Sequence, residues 1–282
     1  MKKNQVKVII FPDIHGRTFW KEAVNRFPAE LYPDVKIIFL GDYLDPYVEY
    51  DGISKEQAFD NFKEILEYAN NDSRVNLLIG NHDWHYFVLL DKCRIDKARE
   101  REIENLFVEN LSKFSLTKTI ELDGCKYLFS HAGITNGWLN CVRSGAQYLI
   151  EHWNDGGVDR NTDPKYQWLL SLEDITKTHN MELFEQSLTN YNDTFYTGPI
   201  SMISRERGGY EPYGSLIWAD VYEHIIYGKD LKGYYQIFGH TYAYPSTDKY
   251  IISPNGRSFA MLDCGKTFVL DNEGNIEELV ND

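Results

Sequence analysis

The sequence predicts an α/β fold, and three observations carry that expectation. Apolar, β-branched runs of strand length recur at residues 6–11, 35–40 and 74–79. Between them, residues 17–27 and 55–69 space their apolar side chains at helical intervals, so a strand, loop, helix, strand unit is complete by residue 40. Each run also ends in an abrupt turn followed by side chains of ligand type. In an α/β sheet, ligands bind at the carboxyl edge of the strands, so these exits matter more than the strands themselves.

The run Val35-Lys36-Ile37-Ile38-Phe39-Leu40 passes into Gly41-Asp42-Tyr43-Leu44-Asp45, and two carboxylates leave its end almost together. Gly41 permits a tight exit in which the backbone approaches a ligand closely. Carboxylates left unpaired at a buried strand end are costly, which points to chemistry: Asp42 reads as a metal-bridging ligand and Asp45 as a carboxylate supporting it from behind. Val6-Lys7-Val8-Ile9-Ile10-Phe11 repeats the plan and ends in Pro12-Asp13-Ile14-His15-Gly16. If that segment stays extended, Asp13 and His15 face one side and can chelate one ion; alone, it also reads as a surface turn with a capping Asp. Arg74 to Ile79 ends in Gly80-Asn81-His82-Asp83, where Asn81 offers a neutral carbonyl oxygen to a metal.

Ser54 is an N-cap for the helix over 55–69. Trp84, Phe87, Val88 and Leu90, then Ile103, Leu106, Phe107 and Leu111, predict two helices with a charged, solvated stretch from Asp91 to Arg101. Asp123-Gly124 joins Leu116–Leu122 to Lys126–Phe129 as a hairpin, whose second strand delivers Ser130-His131-Ala132-Gly133. Residues 134–200 are less regular, with helical stretches near 137–150, 165–172 and 181–188, and resemble a cap or insertion. His152 and His179 lie there without a strand exit and read as ordinary histidines.

Ser204-Arg205-Glu206-Arg207-Gly208-Gly209 combines two guanidiniums with two glycines, a composition suited to a phosphate or to a solvated loop in which an arginine pairs with Glu206. Trp218 and Asp220 follow and can line the same pocket. Gln236-Ile237-Phe238 is a short strand ending in Gly239-His240-Thr241. Phe259–Leu262 and Thr267–Leu270 read as a hairpin around Asp263-Cys264-Gly265-Lys266, with a terminal turn at Asp271-Asn272-Glu273-Gly274.

Composition narrows the function. A chain of 282 residues, 43% apolar and 15% aromatic, can bury one large core, so one domain over 1–282 is expected, with a cap or insertion at about 134–210. The amino terminus is too short in apolar residues for a signal-peptide core, and no run is long enough to cross a bilayer. Four widely spaced cysteines, without a Cys-x-x-Cys pair, indicate reduced thiols and a cytoplasmic location. A formal charge of −14 argues against a broad nucleic-acid footprint. It would also repel a polyanionic substrate unless bound cations reverse the field locally.

Asp13, His15, Asp42, Asn81, His131 and His240 together make oxygen and nitrogen ligands for two cations, with one carboxylate left to bridge. Without thiolates, the set suits Mn²⁺, Fe²⁺ or Fe³⁺, or Zn²⁺. Asp13-Ile14-His15, Gly41-Asp42-x-x-Asp45, Gly80-Asn81-His82-Asp83, His131 and Gly239-His240 stand in the order of the signature of the calcineurin-like metallophosphoesterases, which this chain resembles from residue 13 to residue 241. Leu262-Asp263-Cys264-Gly265 looks like a further family element, and Ile217-Trp218-Ala219-Asp220 makes the chain look closest to the phosphoprotein phosphatases and their bacterial diadenosine tetraphosphatase relatives.

The resemblance implies a four-layer αββα sandwich of two mixed sheets flanked by helices. It implies a first metal on Asp13 and His15, Asp42 bridging, and a second metal on Asn81, His131 and His240. A metal-bridging hydroxide would attack phosphorus in line, His82 would protonate the leaving alkoxide and Asp45 would orient His82. The implied substrates are phosphomonoesters on a small molecule or a protein, Ser/Thr phosphoproteins among them, with diadenosine tetraphosphate or other nucleotide polyphosphates as the nearest alternative and a non-catalytic metal-binding module as the other. Pro46 stands where the phosphatases place an arginine, and Trp84, His85 and Tyr86 fill the neighbourhood of a second. Phosphate binding therefore falls to Arg205 or Arg207, with Arg17 a weaker candidate.

Overall fold

Alternation of buried side chains along the strands decides how the layers stack. The computed structural model describes residues 5–88, 94–152, 167, 170, 198–227, 231, 233–242, 251–252 and 259–280. In chain order the elements are β1 (Val6–Phe11), α1 (Phe19–Arg26), β2 (Lys36–Phe39), the single turn α2 (Val48–Asp51), α3 (Lys55–Asn71), β3 (Val75–Leu78), α4 (Asn81–Val88), α5 (Glu100–Glu109), β4 (Phe114–Ser115), β5 (Thr117–Leu122), β6 (Cys125–Ser130), α6 (Asn136–Glu151), β7 (Tyr234–Phe238), β8 (Ile251–Ile252), β9 (Phe259–Met261), β10 (Phe268–Asp271) and β11 (Ile276–Glu278).

One sheet runs β11-β10-β1-β2-β3-β4 and the other β5-β6-β7-β9-β8. Strands β1 to β4 are parallel and β10 and β11 antiparallel, while β6, β7 and β9 are parallel and flanked by antiparallel β5 and β8. Both sheets are thus mixed. Ile9, Phe11, Ile37, Phe39 and Leu77 pack with Trp20, Phe62, Ile65 and Phe107 of α1, α3 and α5. The alternate positions Val8, Ile10, Ile38, Leu40 and Leu78 pack instead with Phe129, Ile237 and Ala260 of the second sheet. Leu128, on the far face of β6, meets Trp138, Leu139, Val142 and Ala146 of α6. Period-two alternation therefore stacks helices, sheet, sheet and helix as four layers, as expected.

Local chemistry explains the element ends. Ser54 accepts from the Gln57 amide while Gln57 returns a bond to the Ser54 amide, a reciprocal cap contributing about 1 kcal/mol to α3. Asp123 and Gly124 both have positive φ, 48° and 78°, the conformation a two-residue hairpin of this twist requires. Two expectations need correction. Residues 259–262 and 267–270 are not a hairpin: β9 pairs with β7 and β8, whereas β10 crosses to the other sheet and pairs with β1 and β11. Residues 12–15 do not stay extended either, because His15 turns into left-handed backbone at φ 44°.

Of the span 134–210, α6 forms an outer layer; the helical stretches expected at 165–172 and 181–188, and His179, lie outside the described residues apart from positions 167 and 170. His152 caps α6, stacked on Tyr148 and exposed. No helix among the described residues is long and apolar enough to cross a membrane.

His224 gives the fold a measurable acid sensitivity. Its buried ring stacks on Phe238 and its Nε2 faces the Ala132 carbonyl at 3.1 Å. Burial pushes its pKa down from 6.5 to about 4. A depressed imidazole is neutral in the folded protein, so its contribution is complete above pH 6.5 and is lost as pH falls toward 4, about 3 kcal/mol in all. His224→Gln, which keeps an N–H for Ala132 but does not titrate, should flatten the pH dependence of Tm over that window. Equal slopes in the two proteins would refute this account.

Candidate active site

Parallel strands end at one edge, so the exits of β1, β2 and β3 deliver Asp13 and His15, Asp42 and Asp45, and Asn81 and His82 to the same place. The exits of β6 and β7 in the second sheet bring His131 and His240. Backbone bonds stitch the exits together: Ile14 N–H donates to Gly41 O (3.3 Å), His15 to Asp42 O (2.6 Å), Gly16 to Tyr43 O (3.0 Å) and Gly239 to His131 O (2.8 Å). Close approach requires glycine at two of them. A Cβ on Gly41 would lie 2.4 Å from the Gly80 nitrogen, and one on Gly80 would lie 2.1 Å from Asp42 Oδ1. Asp83, fully buried, locks the same junction by accepting from the Gly80 (2.8 Å), Asp42 (2.7 Å) and Tyr43 (3.0 Å) amides.

His15, Asp42, Asp45 and His240 all adopt positive φ, 44°, 55°, 58° and 68°, and are four of the six non-glycine residues that do so among the described residues. Such backbone costs on the order of 1–2 kcal/mol per residue. Its concentration at one cluster marks a place where side-chain aim outweighs local stability.

The cluster centres on Asp42 and His131. Asp42 Oδ2 is 3.4 Å from His15 Nε2 and 3.5 Å from His131 Nε2, while His131 Nε2 is also 3.0 Å from Asn81 Oδ1, 3.1 Å from His240 Nδ1 and 3.9 Å from Asp13 Oδ1. Asp13 Oδ1 and Oδ2 accept the His240 amide at 3.0 Å each. All six sequence-predicted ligands are therefore brought together.

The tautomers make this set unusual. His15 Nδ1 lies 2.9 Å from Leu44 O and His131 Nδ1 lies 2.8 Å from Leu40 O; a carbonyl can only accept, so both Nδ1 atoms are protonated. In the neutral rings both Nε2 atoms then present lone pairs, and they present them to carboxylate and amide oxygens. His240 Nε2 is buried without a hydrogen-bond partner. Burial, then repulsion from any positive charge on His82 and from Arg94, holds His15 well below the usual histidine range; burial, then Arg207, does the same to His240. Asp42 is raised well above the carboxylate range by burial and then by Asp13, and Asp13 is raised by burial. Acceptors converging on acceptors in a buried site are what cations require, with the distal imidazole N–H held by a carbonyl. The donors fit hard or borderline metal ions.

Beside this cluster stands a second one. His82 Nδ1 lies 2.9 Å from Asp45 Oδ2, and Tyr86 Oη donates to Asp45 Oδ1 at 2.7 Å. The His82 amide donates to Asp42 Oδ1 at 2.9 Å, tying the two groups together. Burial pushes Asp45 up to about 6, against the Tyr86 bond and the nearby His85, Arg94 and Lys55 charges. His82 is held well below its usual range by burial first and by Arg94 second.

The arginines divide. Arg207 reaches the rim: its Nη2 donates to His240 O (3.2 Å) and Thr241 Oγ1 (2.6 Å), and its Nε forms an ion pair with Asp220 Oδ2 at 2.9 Å. Arg205 is exposed, with its amide bonded to Glu211 O. Arg17 pairs with Asp51 at 2.9 Å and reaches the Asp13 carbonyl at 3.3 Å. Sequence reasoning overlooked Arg94. Its Nη2 lies 2.8 Å from His82 Nε2, its guanidinium stacks 3.6 Å above the Tyr47 ring, and its Nη1 is buried without a partner. Nothing in its spacing announced this, because it sits in a charged stretch that reads as solvated.

The family model for calcineurin-like phosphoesterases matches residues 6–244. No curated protein matches the chain. Among solved structures it is similar to a protein serine/threonine phosphatase from Saccharomyces cerevisiae that itself resembles human phosphatase PP5, at 12% identity over 99% of this chain and 82% of that one, with a TM-score of 0.48. It is similar to a protein provisionally assigned as a diadenosine tetraphosphatase (13% identity, 99% and 95% covered, TM-score 0.43) and to the phosphopantetheinyl hydrolase of Mycobacterium tuberculosis (12%, 99% and 97%, TM-score 0.33). Because the family match runs from the first strand through the last histidine of the cluster, the chain belongs to the calcineurin-like phosphoesterase family and is a metal-dependent phosphoric ester hydrolase.

Proposed function

We propose that the chain hydrolyses phosphomonoesters at a two-metal centre, with Ser/Thr phosphoproteins among its substrates. The observation that carries the reading is the convergence of lone-pair nitrogens on buried carboxylates around Asp42. Asp13 and His15 would hold one ion and Asn81, His131 and His240 the other, with Asp42 shared; Mn²⁺, iron and Zn²⁺ suit these donors. When bound, such a pair supplies a nucleophile from water at neutral pH and neutralises the charge of the phosphoryl oxygens.

The remaining steps belong to the chain's own residues. Asp45 accepts from His82 Nδ1 and fixes the ring so that Nε2 points at the leaving oxygen, where His82 delivers its proton. Arg94 cannot donate to Nε2 once that nitrogen carries a proton. An anionic substrate resolves the conflict, because guanidinium and imidazolium can then both donate to it. Arg94 thus joins Arg207 as a phosphate-binding group. Arg94→Ala is expected to raise KM for p-nitrophenyl phosphate by about 10-fold or more, in keeping with roughly 1.5–3 kcal/mol for a charged hydrogen bond. An unchanged KM would remove Arg94 from the site.

The function is tested by metal analysis of the purified protein, then turnover with those metals on a phosphopeptide, p-nitrophenyl phosphate and diadenosine tetraphosphate. Release of phosphate from the first two supports the proposal. A strong preference for the last would make the enzyme a nucleotide polyphosphate hydrolase, and bound metal without turnover on any of them would leave a binding module.

A further inference from the structure

Asp263 is a buried carboxylate that the reading above does not use. It follows β9, whose register with β7 pairs Phe238 with Met261, and the ladder continues through a 2.8 Å bond from the Leu262 amide to Phe238 O. Asp263 therefore leaves the end of β9 next to the exit of β7 that carries His240. His240 in turn donates its amide to Asp13, and a Cβ on Gly239 would lie 2.0 Å from Asp13 Oδ2. The exits of β1, β7 and β9 thus carry Asp13, His240 and Asp263.

Asp263 is 6% exposed, and its Oδ1 is buried with no hydrogen-bond partner among the described residues. The two nearby guanidiniums do not supply one. Arg17 donates to Asp51 and to the Asp13 carbonyl, and Arg207 to Thr241 and the His240 carbonyl. Burial, then Asp13, raises the Asp263 carboxyl well above its ordinary range. A buried acceptor without a partner, close enough to feel the charge of Asp13, needs a cation or the water that a cation orients.

Resting on the two-metal reading, we infer that Asp263 is a further carboxylate of the metal centre, directing its free oxygen to the ion held by Asp13 and His15. It binds that ion directly or through one of its waters, a positioning role that lowers the ion's dissociation rather than one that touches the ester.

The test is Mn²⁺ titration of the metal-stripped chain by calorimetry, with thermal denaturation in EDTA and in excess Mn²⁺, for the native protein, Asp263→Asn and Asp263→Ala. Loss of a partner at this position should weaken one of the two Mn²⁺ sites by about 10- to 100-fold. The gain in Tm on adding Mn²⁺ should shrink in both variants, while Tm in EDTA stays level or rises as a buried repulsion disappears. Equal Mn²⁺ affinity and equal metal-dependent gain in the native protein and the variants would overturn the role of Asp263 alone. A Tm lowered equally in EDTA and in Mn²⁺ would make Asp263 a structural residue and overturn it as well. Failure of the native protein to bind Mn²⁺, iron or Zn²⁺ would instead overturn the two-metal reading itself.

Discussion

Asp42→Asn should cut kcat/KM by at least ~10³-fold and reduce the metal content of the purified protein. Asp42 Oδ2 is the oxygen within 3.5 Å of both His15 and His131, so an amide there removes the negative charge shared between the two sets of ligands. The substitution is otherwise mild. Asn tolerates the left-handed backbone that residue 42 adopts at φ 55°, and its amide oxygen can still accept the His82 amide. The metal-free variant should be as stable as the native protein or more so, because a buried carboxylate next to Asp13 is unfavourable without a cation. Full metal content with full activity on p-nitrophenyl phosphate would end the case for Asp42 as a shared ligand.

His82→Ala should lower kcat by about 10²- to 10⁴-fold on alkyl phosphates such as a phosphoserine peptide, with metal content unchanged. The loss should be much smaller on p-nitrophenyl phosphate, whose leaving group needs little protonation. That contrast separates a proton donor from a residue that merely packs, since a packing defect would depress both substrates alike. The pH profile adds a second check. Burial holds Asp45 up to about 6, so its carboxylate is ionised above that pH and protonated below it. Its partner His82 is held well below the usual histidine range by burial and Arg94, so the pair gains its donating proton as pH falls and loses it as pH rises; activity on alkyl phosphates should therefore decline on the alkaline side, and His82→Ala should lose that limb.

Most of the scaffold was legible because burial and chain geometry act locally. Strands β1, β2 and β3 stand out as apolar runs of the right length, and Asp123-Gly124 marks its hairpin because few other pairs accept two positive φ angles in succession. The candidate ligands stood out as a set, since Asp, Asn and His recur directly after several buried strands, whereas one such exit alone also reads as a capped turn. Strand partners were harder. β9 and β10 look alike as sequence, and only packing against Phe238 or Val8 assigns one to each sheet. Arg94 and Asp263 were equally hard, because the burial and surroundings of each are set by the fold and not by the chain order.

By itself the sequence determined the α/β class, the order of the strand exits and the six nitrogen and oxygen donors, because each depends on residues within one turn or one strand of each other. Tertiary structure alone decided that His15 and His131 turn their lone pairs toward Asp42, that Arg94 lies against His82, and that Asp263 is buried with an oxygen left unpartnered among the described residues. The physical reason is that a tautomer or the partner of a buried charge is set by whatever atoms surround it in space, and those atoms come from positions 12 to 227 residues apart in the chain.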